Sequence, residues 1–276
     1  MIKTNQQVSD GFFDAESKIW AVDREMVLLL AGGRALLMQL AHPKVAAGVA
    51  EHSRFQGNPL GRLYRTMSAM WSIVFDDASR ARTALRQVEV IHQRVHGAMR
   101  QGEPLPAGAP YHASDQALLF WVHATLVDSA MSAYDLLVAP LNAVDRHEYY
   151  EDSKKLARLF GIQETNIPSS LAEFEGYVAA TIESETMTVG PTARTLARQI
   201  LYPDPWLLKP AAPVFRLLTA GLLPEKFRDA YGLTWDGPRE KRFSLAAGAI
   251  RGVLPLVPPP LRIVPNARKS ERARRR

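Results

Sequence analysis

Seven histidines (His42, His52, His92, His96, His112, His123 and His147) stand in a chain of 276 residues that has no cysteine. Thiolate metal sites, iron–sulfur clusters, disulfides and thiol nucleophiles are therefore excluded together. Apart from methionine, imidazole is the soft ligand left for transition-metal chemistry. Helical spacing separates the seven. Over residues 79–99, Leu85, Val88, Val95 and Met99 stand three, four or seven positions from His92, which puts His92 within an apolar stripe and His96 at its edge. Over 115–138, His123 shares a face with Leu119, Leu126, Ala130 and Leu137. A core histidine bonded to a neighbour satisfies such a position. Two inward histidines on apolar helices also meet the needs of a haem pocket: a neutral imidazole facing a flat apolar cavity, its other nitrogen fixed by a hydrogen bond. His92 and His96 have the spacing of a zinc pair but lack the glutamate of His-Glu-x-x-His.

A third group is the run Arg-Leu-Tyr-Arg-Thr, residues 62–66. Arg62 and Thr66 are one turn apart and flank the stripe of Leu63, Met70 and Val74, with Arg65 further round. A guanidinium and a hydroxyl beside an apolar pocket can hold a cofactor carboxylate, bound dioxygen or the polar end of a substrate. A surface pair that steadies the helix is the competing reading. Nucleophile elbows, P-loops and dinucleotide-binding glycine patterns are absent from the chain. The glycines at 32 and 33 suit close helix packing, or approach to a flat cofactor, better than phosphate binding.

The elements that must position these groups read as helices almost throughout. Asp23 is placed to cap a helix running to about Ala41, stopped by His42-Pro43. Further helices are expected over about 45–52, 59–75, 79–99, 115–138, 145–160 (with Gly161 as C-cap) and from Ser170, which opens a capping box with Glu173. Beyond residue 200 prolines punctuate shorter helices at about 213–220, 225–230 and 242–250, after one at 191–201. The expectation is a single large all-α domain over 20–265, an N-terminal segment 1–19, and a disordered basic tail 266–276.

Charge supports that division. The formal net charge is +6, and Arg268–Arg276 holds six basic groups against one acid, leaving the rest near neutral. A whole-domain nucleic-acid face is thereby argued against. The most apolar run, Met26–Ala41, is interrupted by Arg34 and falls short of the about 20 residues of a membrane span. The polar start lacks the layout of a signal peptide. We expect a soluble, cytoplasmic protein.

Three early stretches, REMVLLLAGGRALLMQLAHP (24–43), VAAGVAEHSRF (45–55) and RLYRT (62–66), carry a resemblance to the MpaB and latex-clearing-protein (rubber oxygenase) family, DUF2236. Later stretches agree: FWVHATL (120–126), LTAGLLP (218–224), then Arg228 and YGLTW (231–235). The resemblance spans about residues 20–240. It implies an all-helical fold, b-type haem bound through a histidine, and dioxygen used on carbon–carbon double bonds of isoprenoid chains. By this likeness His92 matches the axial ligand, with His123 as the alternative. Arg62, Arg65 and Thr66 match a distal Arg-x-x-Lys-Thr motif, and His96, Arg34 and His42 fall among candidate cofactor-binding positions. One departure stands out: the distal lysine is Arg65 here, and a guanidinium keeps its charge where an amine can lose a proton. The expected partners are dioxygen or peroxide and a small, largely apolar intracellular substrate. A helical haem or small-molecule carrier without turnover is the alternative.

Overall fold

The computed structural model describes residues 11–52, 59–202 and 211–274, with side chains from residue 66 onward in the helix that begins at Pro59. The expectation of an all-α domain is met: helices account for nearly every element, and the strands form one small hairpin. At the centre lies α6 (Gln116–Leu137), whose start is fixed by the Asp115 carboxylate accepting the backbone N–H groups of Ala117 and Leu118. Its residues are apolar almost all round, so it can be stable only where helices cover every side. That cover comes from α1 (Lys18–Asp23), α2 (Gly32–Leu40), α7 (Ala143–Leu159), α8 (Leu171–Glu183) and α12 (Gly237–Val253). Trp121 is buried between them and donates its indole N–H to the Met38 carbonyl at 3.3 Å, tying α6 to α2.

Around this centre run α3 (Pro43–His52), α4 (Pro59–Phe75) and α5 (Ala78–Arg94), then α9 (Pro191–Leu201), α10 (Ala212–Leu222), α11 (Glu225–Ala230), α13 (Pro259–Arg262) and α14 (Pro265–Arg274). Among the described residues no single helix is long and apolar enough to cross a membrane.

Three expectations need correction. The helix from Asp23 to Ala41 is broken into α1, a 3₁₀ segment Met26–Ala31 and α2. Asp23 caps none of them; its carboxylate instead accepts the Tyr149 hydroxyl at 3.0 Å. The helix over 79–99 ends at Arg94, where Val95 turns extended (φ −91°, ψ 92°). The chain then enters β1 (His96–Ala98), paired antiparallel with β2 (Pro110–His112), His96 opposite His112. Gly97 permits that hairpin, since a Cβ there would meet the Tyr111 Oη at 2.5 Å. Finally, residues 265–274 form no loose tail. In α14, Ala267 is fully buried, Asn266 donates to Asp76 at 3.0 Å, and Ser270 donates to the Phe75 carbonyl at 2.5 Å.

Candidate functional site

Asp77 starts α5 by accepting the backbone N–H groups of Ser79 and Arg80, each at 3.0 Å. One face of the helix then presents Arg82, Leu85, Arg86, Glu89, His92 and Gln93, three or four residues apart, to a groove of about 410 Å³. Gln116 and Leu119 of α6 form its second wall, and Arg158, Leu159, Phe160 and Gly161 at the end of α7 form the third. Gln116 holds two of these walls together: its amide donates to the Gly161 carbonyl (3.2 Å) and accepts the Gln163 N–H (2.8 Å). The positive φ of Gly161 (77°) turns the chain there, as a C-cap glycine does.

His92 is half-buried in this groove, and burial holds its imidazolium below the ordinary value of 6.5. At neutral pH the ring is therefore neutral, the form that can ligate a metal. Leu85, Val88, Leu119, Leu159 and Phe160 give part of the groove an apolar lining, beside Arg82, Arg86, Glu89, Gln93, Ser114, Gln116 and Arg158. Arg158 is clamped on Glu164 by two hydrogen bonds of 2.6 Å, and Arg82 stacks over Phe12 at 5.6 Å. Neutral imidazole, apolar lining and guanidinium groups are the chemistry that haem, with its flat ring and carboxylates, requires. The donor set fits the group.

His123 lies one turn beyond Leu119 on the same face of α6 and is 6% exposed. Its ring stands 6.2 Å from that of Phe120, and its pKa is pushed down to about 4 by desolvation, opposed by a backbone hydrogen bond at Ser153. It points the same way as the groove wall without reaching the lining.

The remaining expected residues go elsewhere. His96 is exposed on β1 and stacks on His112 with ring centroids 5.6 Å apart. Its carbonyl meets the His52 Nε2 at 3.0 Å, and Tyr111 donates to Glu51 beside them. His96 is thus not a helical neighbour of His92, which dissolves the zinc-like spacing; among the described residues no group of three or more His, Asp or Glu clusters around a metal position. Arg34 is buried and committed: it donates to Asp128 (2.6 Å), Ser129 (2.7 Å) and the Leu222 carbonyl (2.8 Å). It ties α2 to α6 and α10, and faces neither groove. Gly33 serves close packing, since a Cβ there would lie 2.1 Å from the Thr219 hydroxyl on α10.

His42 lines a different groove, of about 320 Å³, on the opposite side of the first turns of α6. Burial, with help from the charge of Lys44, pushes its pKa down to about 4. Thr66 is exposed on α4. Arg62 and Arg65 lie outside the described side chains. Sequence reasoning missed Arg82, Arg86 and Arg158. Spacing gave no signal for them: Arg86 and Arg82 stand six and ten positions before His92, off its own helical row, and Arg158 joins only through tertiary packing.

A family model described as "ER-bound oxygenase mpaB/B'/Rubber oxygenase, catalytic domain" matches residues 19–252. Comparison with curated proteins and with solved structures gives no match. The matched span runs from α1 to the end of α12 and contains every helix that borders the His92 groove. The chain belongs to the MpaB/rubber oxygenase catalytic-domain family.

Proposed function

We propose that the chain is a haem-b-dependent oxygenase that holds its cofactor in the α5–α6–α7 groove through His92 and acts in the cytoplasm on a small, largely apolar substrate. The observation that carries this reading is the position of His92: a neutral imidazole on a helix face that also presents Arg82, Arg86 and the apolar Leu85. When bound, the haem iron supplies the activation of dioxygen or peroxide.

The chain's own residues set the conditions. His92 would offer an unprotonated nitrogen to the haem iron, and burial keeps it unprotonated. The guanidinium groups of Arg82 and Arg86 stand where they can pair with cofactor carboxylates, while Arg158 is held by Glu164. His123, neutral and one turn beyond Leu119 on the same face of α6, would hydrogen-bond near the pocket. It is also the alternative ligand. Arg62, Arg65 and Thr66 belong to α4, which packs along α5; by the family likeness they would serve the substrate side of the site. Arg65 holds its charge and orients; it does not remove a proton.

Dioxygen uptake by the haem-loaded protein tests this, with geraniol as a small apolar alkene probe. The proposal predicts uptake that depends on geraniol and is lost in His92→Ala. Oxygen binding without uptake, across a set of short alkenes, would favour the carrier instead.

A further inference from the structure

Helix α12 is apolar on two sides. Phe243, Ala247 and Ile250 face inward and pack with Ala133 and Leu137 at the end of α6 and with Leu218 of α10. The opposite face presents Lys241, Arg242, Leu245, Ala249, Val253 and, in the 3₁₀ turn that follows, Leu256. These stand three or four residues apart, so they form one row, and every one of them is exposed. Leu245 is 73% exposed, Val253 57% and Leu256 81%. A Cβ added to Gly248 or Gly252 on the same face would meet nothing within 4 Å, so no described residue lies over the row. A further exposed leucine, Leu261, follows the prolines at 258–260. One exposed leucine is ordinary; a row of apolar side chains along a helix face marks a binding surface.

Charge is concentrated in the same part of the chain. Residues 237–276 hold eleven Lys and Arg against two Glu, whereas the other 236 residues hold 23 against 26. Arg239, Arg262 and Arg274 are paired with Asp236, Glu25 and Asp14, and the region stays strongly positive with those three neutralised. Lys241 and Arg242 stand one turn before Leu245 and open the row itself.

We propose that this face anchors the protein on an anionic lipid bilayer. Leu245, Val253 and Leu256 enter the boundary between headgroups and acyl chains, and Lys241 and Arg242 pair with lipid phosphates and carboxylates beside them. The helix lies along the surface and does not cross it: α12 has 17 residues with Arg251 among them, short of the about 20 apolar residues of a span. A second copy of the chain fits this face less well, because pairing it with itself sets two basic regions against each other. Nucleic acid answers Lys241 and Arg242 but leaves the leucines and Val253 without an apolar partner. An anionic bilayer satisfies both halves of the row. The anchor stands independently of whether His92 holds haem.

Flotation of the full chain with lipid vesicles tests it. At about 0.1 M salt the protein should float with mixed phosphatidylcholine–phosphatidylserine vesicles. Replacing both cations, Lys241→Gln with Arg242→Gln, should weaken that partition about thirtyfold, and pure phosphatidylcholine should bind at least as weakly. Leu245→Gln with Leu256→Gln should weaken it about a hundredfold or more, with the urea midpoint unchanged because both side chains are exposed. The chain has no cysteine, so Leu256→Cys gives a single attachment point for nitrobenzoxadiazole. Its emission should shift to the blue on the mixed vesicles and be quenched by spin-labelled lipid. The same label at Ile91→Cys should do neither: Ile91 is exposed on α5, which borders the other end of α6 at Gln116 and Leu119. No partition into the mixed vesicles, equal partition into pure phosphatidylcholine, or equal shifts from the two labels would each overturn the proposal. So would a dimer in sedimentation that the two leucine replacements dissociate, or duplex DNA retained while vesicles are not. None of these readouts depends on a haem absorption band or on turnover, so this anchor and the oxygenase reading fail separately.

Discussion

A single buried carboxyl shows how much the surroundings of a residue decide. Asp23 is pushed up to about 7, first by desolvation and then by the nearby Asp152 charge, against the hydrogen bond from Tyr149. Between about pH 4 and 7 the folded chain thus keeps a proton that the unfolded chain has released, so Asp23 makes stability fall as pH rises through that window. His42 and His123, both pushed down to about 4, act in the opposite sense. The unfolded chain binds their protons below about 6.5 and the folded chain does not, so their contribution is full above that pH and is lost toward pH 4. In the haem-free protein, Asp23→Asn should remove the opposing term and steepen the rise in urea midpoint from pH 4 to 7. Parallel profiles for the two proteins would contradict the assignment. The sequence made His92 and His123 legible because helical spacing alone turns both inward. It misplaced Asp23 because the competing Tyr149 lies 126 positions away, where no local pattern can reveal it.

At the scale of elements, the helix starts at Ser170 and Pro191 and the turn at Gly161 were readable because caps and turns are local chemistry. The β1–β2 hairpin was not. Its strands have three residues each, too few for an alternating pattern, and it moved His96 off the helix that carries His92. The same limit applies to the glycine pair. Both read alike in sequence, yet a Cβ on Gly33 would meet Thr219 and Phe215 of α10, while one on Gly32 would meet nothing within 4 Å. Gly33→Ala should therefore destabilise by about 1–3 kcal/mol through overpacking of the α2–α10 seam. Gly32→Ala, in a helical conformation, should stabilise by about 0.5–1 kcal/mol. Equal urea midpoints for the two variants would contradict the packing described.

For the whole molecule, the C-terminus is where charge misled. Its basic residues suggest a solvated tail, but α14 closes the fold over the first helix. Glu271 accepts the Trp20 indole N–H at 3.2 Å and pairs with Arg24 at 2.9 Å, while Arg274 stacks over Trp20. Just before it, Arg262 makes a two-bond pair (2.8 and 2.9 Å) with the buried Glu25. Contacts between residues some 240 to 250 apart leave no trace in local composition. Removing residues 265–276 should lower stability by more than about 2 kcal/mol, a fall in Tm of roughly 4–8 °C. A free tail would leave Tm unchanged.

The central claim is that the groove of α5, α6 and α7 holds haem through His92. The absorption spectrum of the freshly expressed protein, before and after dithionite, tests it most directly. The account predicts a Soret band that shifts on reduction and is lost in His92→Ala, while His123→Ala retains it. A band that survives in His92→Ala and vanishes in His123→Ala would reverse the two roles, and a fully reconstituted protein with no Soret band would contradict the claim outright.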